Sequence, residues 1–243
     1  MLRSKSMFVL CALAAVCLLA CGDDGGGVTP DVDAAPLPID AANGCEPATL
    51  LPTQWRPIAA VSAGAVAVTA AGGVTSGTID ATAGGTAASA DNPYLYLDLV
   101  TGAKLELSDL AALSSTAWHV ALKRSSLKLN SGDSGPGQVT AASVAAATLA
   151  EVTTVPASLA ADDWATSDCM LTTTPGGEPA SVMGSWYDYD DATHRLTPKA
   201  EVWVLKLGDG ASAPVRKLRI VTYYGDTAMP MRGAFSRVEG AAL

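Results

Sequence analysis

The sequence predicts an all-β, mainly antiparallel domain, and three observations predict it. Short apolar or alternating runs recur from about Cys45 to Leu243. Gly, Pro, Asp and Ser separate them, the residues that break strands and build tight turns. No heptad and no internal repeat sets a competing period.

The elements follow in chain order. Ala65–Thr69 is the first run, and Tyr94–Val100 the second. Asp98-Leu99-Val100-Thr101-Gly102-Ala103-Lys104-Leu105 reads as strand, tight turn, strand, continuing through Lys104–Leu107. In Trp118–Leu122 the period of two puts Trp118, Val120 and Leu122 on one face, His119 and Ala121 on the other. Trp118 is thus a core anchor, and His119 beside it is structural. Leu127–Leu129 leads into Asn130, Gly132, Gly135 and Gly137. These residues supply positive-φ positions and side-chain-to-backbone hydrogen bonds, so the loop stabilises a strand crossing rather than touching ligand. Ala141–Leu149 is Ala-rich and predicts a short helix. Residues 156–181 are long, polar and irregular, the kind of connection that is usually functional. Trp186–Tyr189, Val202–Leu207 and Leu218–Tyr224 complete the strands, and Leu207-Gly208-Asp209-Gly210 forms the tip between the last two.

The front of the chain reads as a lipoprotein leader. Arg3 and Lys5 precede an uncharged apolar run, Met7 to Ala20. That run suits a signal h-region and is short for a transmembrane helix, although an uncleaved anchor is the competing reading. Leu18-Leu19-Ala20-Cys21 resembles a lipobox, so residues 1–20 are the cleaved signal peptide and Cys21 is the lipidation site. Acyl chains there bind a bilayer with about 0.8 kcal/mol per buried CH₂. Residues 21–44 are then the acylated cysteine and a Gly-, Asp-, Pro- and Ala-rich tether, which as a flexible coil spans about 25–30 Å. Residues 45–243 form a single β-rich domain.

Composition excludes several functions. The formal net charge is −9, and it becomes more negative once Arg3 and Lys5 leave. So acidic a chain repels polyanions, which excludes nucleic acid as a partner. Cys11 and Cys17 leave with the leader, so Cys45 and Cys169 remain as one disulfide closing a long loop, on the order of 4–5 kcal/mol in the chain-entropy model. No GxSxG, HExxH, P-loop or helix-opening GxGxxG occurs, and only His119 and His194 could serve a triad, so no enzyme activity is expected. Ser131-Gly132-Asp133-Ser134-Gly135 is superficially like a protease nucleophile segment, but its histidine segment is missing. Asp188, Asp190 and Asp191 read as a solvated acidic turn in preference to a Ca²⁺ site.

Four blocks in order resemble one family. They are Tyr94–Leu97 with Thr101-Gly102; Trp118–Arg124 running into Asn130-Ser131-Gly132-Asp133-Ser134-Gly135-Pro136-Gly137; Trp186-Tyr187-Asp188-Tyr189-Asp190 with His194 and Pro198; and Val215–Tyr224. Together, behind a lipobox, they resemble the HmuY family of haem-binding lipoproteins over residues 93–243. His119 departs from the family's usual Asp. The resemblance implies a hand-like β domain that grips haem between finger-like loops, with iron held by His or Met side chains. The candidates in the expected loops are His194, Met170 and Met183, with Met229 and Met231 as lesser ones. It further implies a lipid-anchored protein of the cell envelope, in the outer membrane, that captures haem for uptake and passes it to an outer-membrane haem transporter. The alternative is a HmuY-like surface lipoprotein without haem, serving as a structural or interaction module; only two Phe in the chain favour it.

Overall fold

The structure, a computed structural model, describes residues 44–81, 91–174, 176–225 and 233–243. The leader, Cys21 and the tether up to residue 43 lie outside the described residues, as do Met229, Pro230 and Met231.

Twelve strands are described: β1 (Ala65–Ala71), β2 (Val74–Asp80), β3 (Leu95–Asp98), β4 (Ala103–Leu105), β5 (Val120–Lys123), β6 (Ser126–Leu129), β7 (Val139–Ala145), β8 (Tyr187–Asp190), β9 (Arg195–Pro198), β10 (Glu201–Leu207), β11 (Val215–Tyr224) and β12 (Gly233–Ala242). Every pairing among them is antiparallel. Sheet I has six strands in the order β1-β2-β12-β11-β10-β7, sheet II has four in the order β4-β3-β5-β6, and β8-β9 stands as a separate two-stranded ribbon.

Side-chain alternation sorts the buried residues into layers. Leu95, Leu97, Val120 and Leu122 of sheet II share one cluster with Trp203, Leu205, Ile220 and Val238 of sheet I. On the outer face of sheet II, Tyr94, Tyr96 and Ala121 meet Leu51, Trp55 and Trp164. On the outer face of sheet I, Val202 and Val204 meet Leu149 and Val152. Strand β10 is covered on both faces, which explains why Val202–Leu207 is apolar almost without interruption.

Two coverings close the outer face of sheet II. The N-terminal one carries a single helical turn, α1 (Pro47–Leu50), and Trp55; the other is the segment around Trp164. The predicted Cys45–Cys169 disulfide joins them. The compact unit Pro38–Leu243 therefore holds three core clusters and its own covalent staple, so it carries what it needs to fold alone.

The Asn130 loop is a strand-crossing clamp, as expected. Asn130 Nδ2 donates to the Ser115 and Trp118 carbonyls, and its Oδ1 accepts from the Gly137 amide at 2.8 Å. Gly132 has a φ of +53° and lies so close to the Asp162 carbonyl that a Cβ would stand 1.8 Å from it. Any side chain there would drive residues 160–164 off the sheet.

Three readings need correction. The Ala-rich stretch 141–149 is not a helix. Its first half is the end of β7, paired residue by residue with β10, and only Leu149–Glu151 forms one 3-10 turn. Ala gains a few tenths of a kcal/mol from helix formation, less than the ladder and packing beside β10 provide. Trp118 is buried as expected, but on the other face: it packs edge-on against Tyr96 at 5.0 Å, in the cluster with Ala121. Residue 118 precedes the start of β5, so the period of two does not extend back to it. Strands β2 and β12 were not anticipated, because Gly, Ser, Thr and Ala dominate Val74–Asp80 and Gly233–Ala242.

Candidate functional site

The predicted iron ligands fall in three different settings. Met183 belongs to the 3-10 turn Val182–Ser185, is 0 % exposed, and packs in the inter-sheet core with Trp186. Met170 is 65 % exposed and follows Cys169 on the loop beside the disulfide, its amide donating to Thr166 Oγ1. His194 is exposed at the tip of the β8-β9 ribbon. The structure does not bring the three together on one layer of the fold.

The ribbon tip is built from its own side chains. Asp190 Oδ1 accepts from the amides of Ala192 and Thr193, and its Oδ2 accepts from the Thr193 hydroxyl at 2.8 Å. The acidic turn is therefore an Asx turn that closes the hairpin. His194 ends it with a φ of +54°, which fixes where the imidazole leaves the backbone. Tyr189 Oη and His194 Nδ1 share a hydrogen bond of 2.8 Å across the ribbon. With Nδ1 engaged, Nε2 is the nitrogen left to meet a ligand.

An aromatic group roots the ribbon. Trp186 packs edge-on against Tyr187 at 4.8 Å and lies 5.3 Å from Tyr223, which in turn meets Tyr224 at 5.1 Å. Trp186 Nε1 donates to the Ser125 carbonyl. Tyr224 Oη accepts from the Leu196 amide at 2.8 Å, tying β9 to β11, and the Arg195 guanidinium lies 4.5 Å from the Tyr224 ring. Burial, reinforced by the Glu178 carboxylate, pushes the Tyr187 hydroxyl up to about 12, so it stays protonated. The tyrosine pair was legible as a motif; its job of anchoring the hairpin was not.

A second opening lies between the sheets. It is an apolar cleft of about 290 Å³, walled by aliphatic side chains such as Val68, Leu97, Val120 and Leu218. Among the described residues no His, Met or Cys lines it. His119 lies beside its rim, where Nδ1 accepts from the Leu99 amide at 3.1 Å. Burial holds this imidazole below the usual histidine range, which keeps it neutral and suited to accept. That fits the structural role predicted for it.

Two stacked antiparallel sheets, a disulfide joining the coverings of one of them, and a histidine-tipped ribbon on an aromatic root define a β-sheet protein of the disulfide-bearing class. The chain matches the family model described as HmuY protein over residues 90–235, more than half its length, and it belongs to the HmuY family. Among solved structures it is similar to a chain described as a lipoprotein of Bacteroides fragilis, at 15% identity and TM-score 0.48, covering 71% of this chain and 91% of that one. It is also similar to an apo HmuY analog of Tannerella forsythia, at 16% identity and TM-score 0.47, covering 75% and 97%. A third is apo PinO from Porphyromonas gingivitis, at 12% identity and TM-score 0.43, covering 62% and 90%. No curated protein matches.

Proposed function

We propose that this HmuY-family chain is a surface lipoprotein, anchored through Cys21 in the outer membrane, that captures haem for delivery to a transporter. The observation that carries the reading is the His194 ribbon. An imidazole tethered at Nδ1 by a tyrosine hydroxyl and open at Nε2 has the form of an axial iron ligand with its supporting contact in place. Haem would supply the iron and the flat apolar face; the chain's own part is to bind and orient it. Tyr189 holds the imidazole plane, and the Trp186–Tyr224 group keeps the ribbon from folding away. Met170, exposed on its loop, is the candidate that would serve as a second ligand to the iron. Met183 would serve only if the core opened, so it ranks last.

A second reading, a HmuY-type lipoprotein that binds no haem, draws support from one observation: the candidate ligands sit in separate settings. Haemin titration into the unit Pro38–Leu243 separates the two. The haem reading expects a Soret band saturating at one equivalent, a shifted band with weakened binding in His194→Ala, and an intermediate affinity in Tyr189→Phe. A spectrum of free haemin at every ratio sinks it.

A further inference from the structure

We propose that the cleft between the two sheets is a binding site for a straight-chain fatty carboxylate, with Arg216 as the partner of its head group. The β1-β2 turn, the β3-β4 turn and the last residues of β12 rim its mouth, and Leu122, Leu127 and Ile220 close its floor. Among the described residues its lining holds no aromatic side chain. Branched aliphatic walls suit a flexible alkyl chain.

Size and charge narrow the occupant. A cavity of about 150 Å³ accommodates the six carbons of benzene, so about 290 Å³ takes about a dozen heavy atoms, the size of decanoate. A porphyrin, with about forty heavy atoms, does not fit by the same scale. Among the described residues two charged side chains contribute to the lining, Arg216 and Lys217, and both are cationic. Lys217 points to the opposite face of sheet I, where Nζ donates to the carbonyls of Leu149 and Val152. Arg216 has the same strand parity as Leu218 and Ile220 and faces inward. Its Nε donates to the Leu99 carbonyl at 3.3 Å, so the side chain spans the mouth to the β3-β4 turn. Among the described residues it pairs with no carboxylate. In a chain of net charge −9, a half-buried guanidinium across the entrance of an aliphatic cleft is complementary to an anionic head on an apolar tail. Val100, 50% exposed on the rim, gives an alkyl chain an apolar surface to enter by.

The site is independent of the ribbon. Eight residue steps along β11 take Arg216 to Tyr224, about 26 Å at the rise of a strand.

The test is calorimetric titration of sodium decanoate and of decanol into the unit Pro38–Leu243. Wild type is expected to bind one decanoate, more tightly than decanol. Arg216→Gln is expected to weaken decanoate at least tenfold, leave decanol unchanged and so erase the preference. Val68→Phe, on edge strand β1 where extra volume is tolerated, should fill the cleft and weaken both ligands. His194→Ala should leave decanoate binding intact, which keeps this outcome separate from any result with haemin. No binding of decanoate by wild type at about 1 mM overturns the proposal, as does binding that survives Val68→Phe or is indifferent to Arg216→Gln.

Discussion

Breaking the Cys45–Cys169 bridge should lower the melting temperature of the unit Pro38–Leu243 by about 11 °C. The bridge spans a sequence separation of 124, for which the loop-entropy relation gives about 4.9 kcal/mol at 25 °C. An unfolding entropy of about 2.1 cal/mol/K per residue over this unit comes to about 0.43 kcal/mol/K, and the ratio of the two gives the shift. Cys169→Ala is the clean perturbation, because Cys169 is exposed whereas Cys45 is buried in the cluster with Trp55. Thermal melts followed by circular dichroism would compare this variant with wild type before and after reduction, with free thiols counted in each sample. Chymotrypsin cleavage after Trp55 should accelerate in parallel, since the disulfide ties that covering to the Trp164 segment. A loss below about 3 °C with thiols confirmed free would refute the reasoning. It would mean that the unfolded chain is already constrained, or that noncovalent ties such as Lys123 Nζ to the Gln54 carbonyl hold the covering unaided.

Two further perturbations test the buried charges. Burial raises Asp162 from its ordinary value to about 6, although its oxygens accept the Leu129 and Val182 amides. The folded state therefore binds a proton that the unfolded state does not between about pH 4 and pH 6. This group's contribution to stability is largest below that window and is lost as pH rises through it, by up to about 3 kcal/mol. Denaturation of wild type and Asp162→Asn at about pH 4.5 and pH 7 should show wild type losing ground to the variant at the higher pH, and a gap independent of pH would contradict it. Asp109→Ala should cost about 3–5 kcal/mol, because Oδ1 accepts both the Tyr94 amide and the Tyr96 hydroxyl, at 2.9 and 2.8 Å, and the loss strands two buried donors beside Lys123 and Lys128. Urea unfolding measures it, and a change under 1 kcal/mol would show that the outer layer of sheet II relaxes around the gap.

Strands whose apolar residues carry the packing were legible in the sequence; strands held mainly by pairing were not. Val202–Leu207 and Leu218–Tyr224 announce themselves with β-branched and leucine side chains, and both are central in sheet I. Strand β12 pairs with both β11 and β2, but its sequence from Gly233 to Ala242 is small and polar, so its order comes from backbone partners supplied by distant residues. The helix expected at 141–149 failed for the same reason: alanine states a weak preference, and β10 supplies the ladder. Cysteine counting reaches the disulfide once Cys11, Cys17 and Cys21 are set aside as leader and lipidation site, leaving Cys45 and Cys169 to pair. Residue type and loop position point to the ligand candidates, and neither reports burial. Thus Met183, next to the irregular segment in sequence, faces Trp186 inside the core, while His194 stands at a tip held by Asp190 and Tyr189. No local pattern announces the cleft, because its described walls come from seven strands of two sheets.

Strand β11 shows how one stretch of chain serves both ends of the molecule. From Arg216 to Ile220 the period of two holds: Arg216, Leu218 and Ile220 face sheet II, and Lys217 faces the covering turn at Leu149. Past Ile220 the register with β12 slips twice, Ile220 facing Val238, Thr222 facing Arg237 and Tyr224 facing Gly233. Irregular pairing of this kind changes which side chains point inward. The next buried residue is accordingly Tyr223, not Thr222, and it lies against Trp186 in the core. Tyr224 is thereby freed to turn toward the ribbon, where its hydroxyl takes the Leu196 amide. Had the alternation continued, Thr222 and Tyr224 would have faced the core and Tyr223 the outside, and β9 would have lost its tie to sheet I. The bulged register, rather than any single side chain, is what joins the histidine-bearing ribbon to the sandwich.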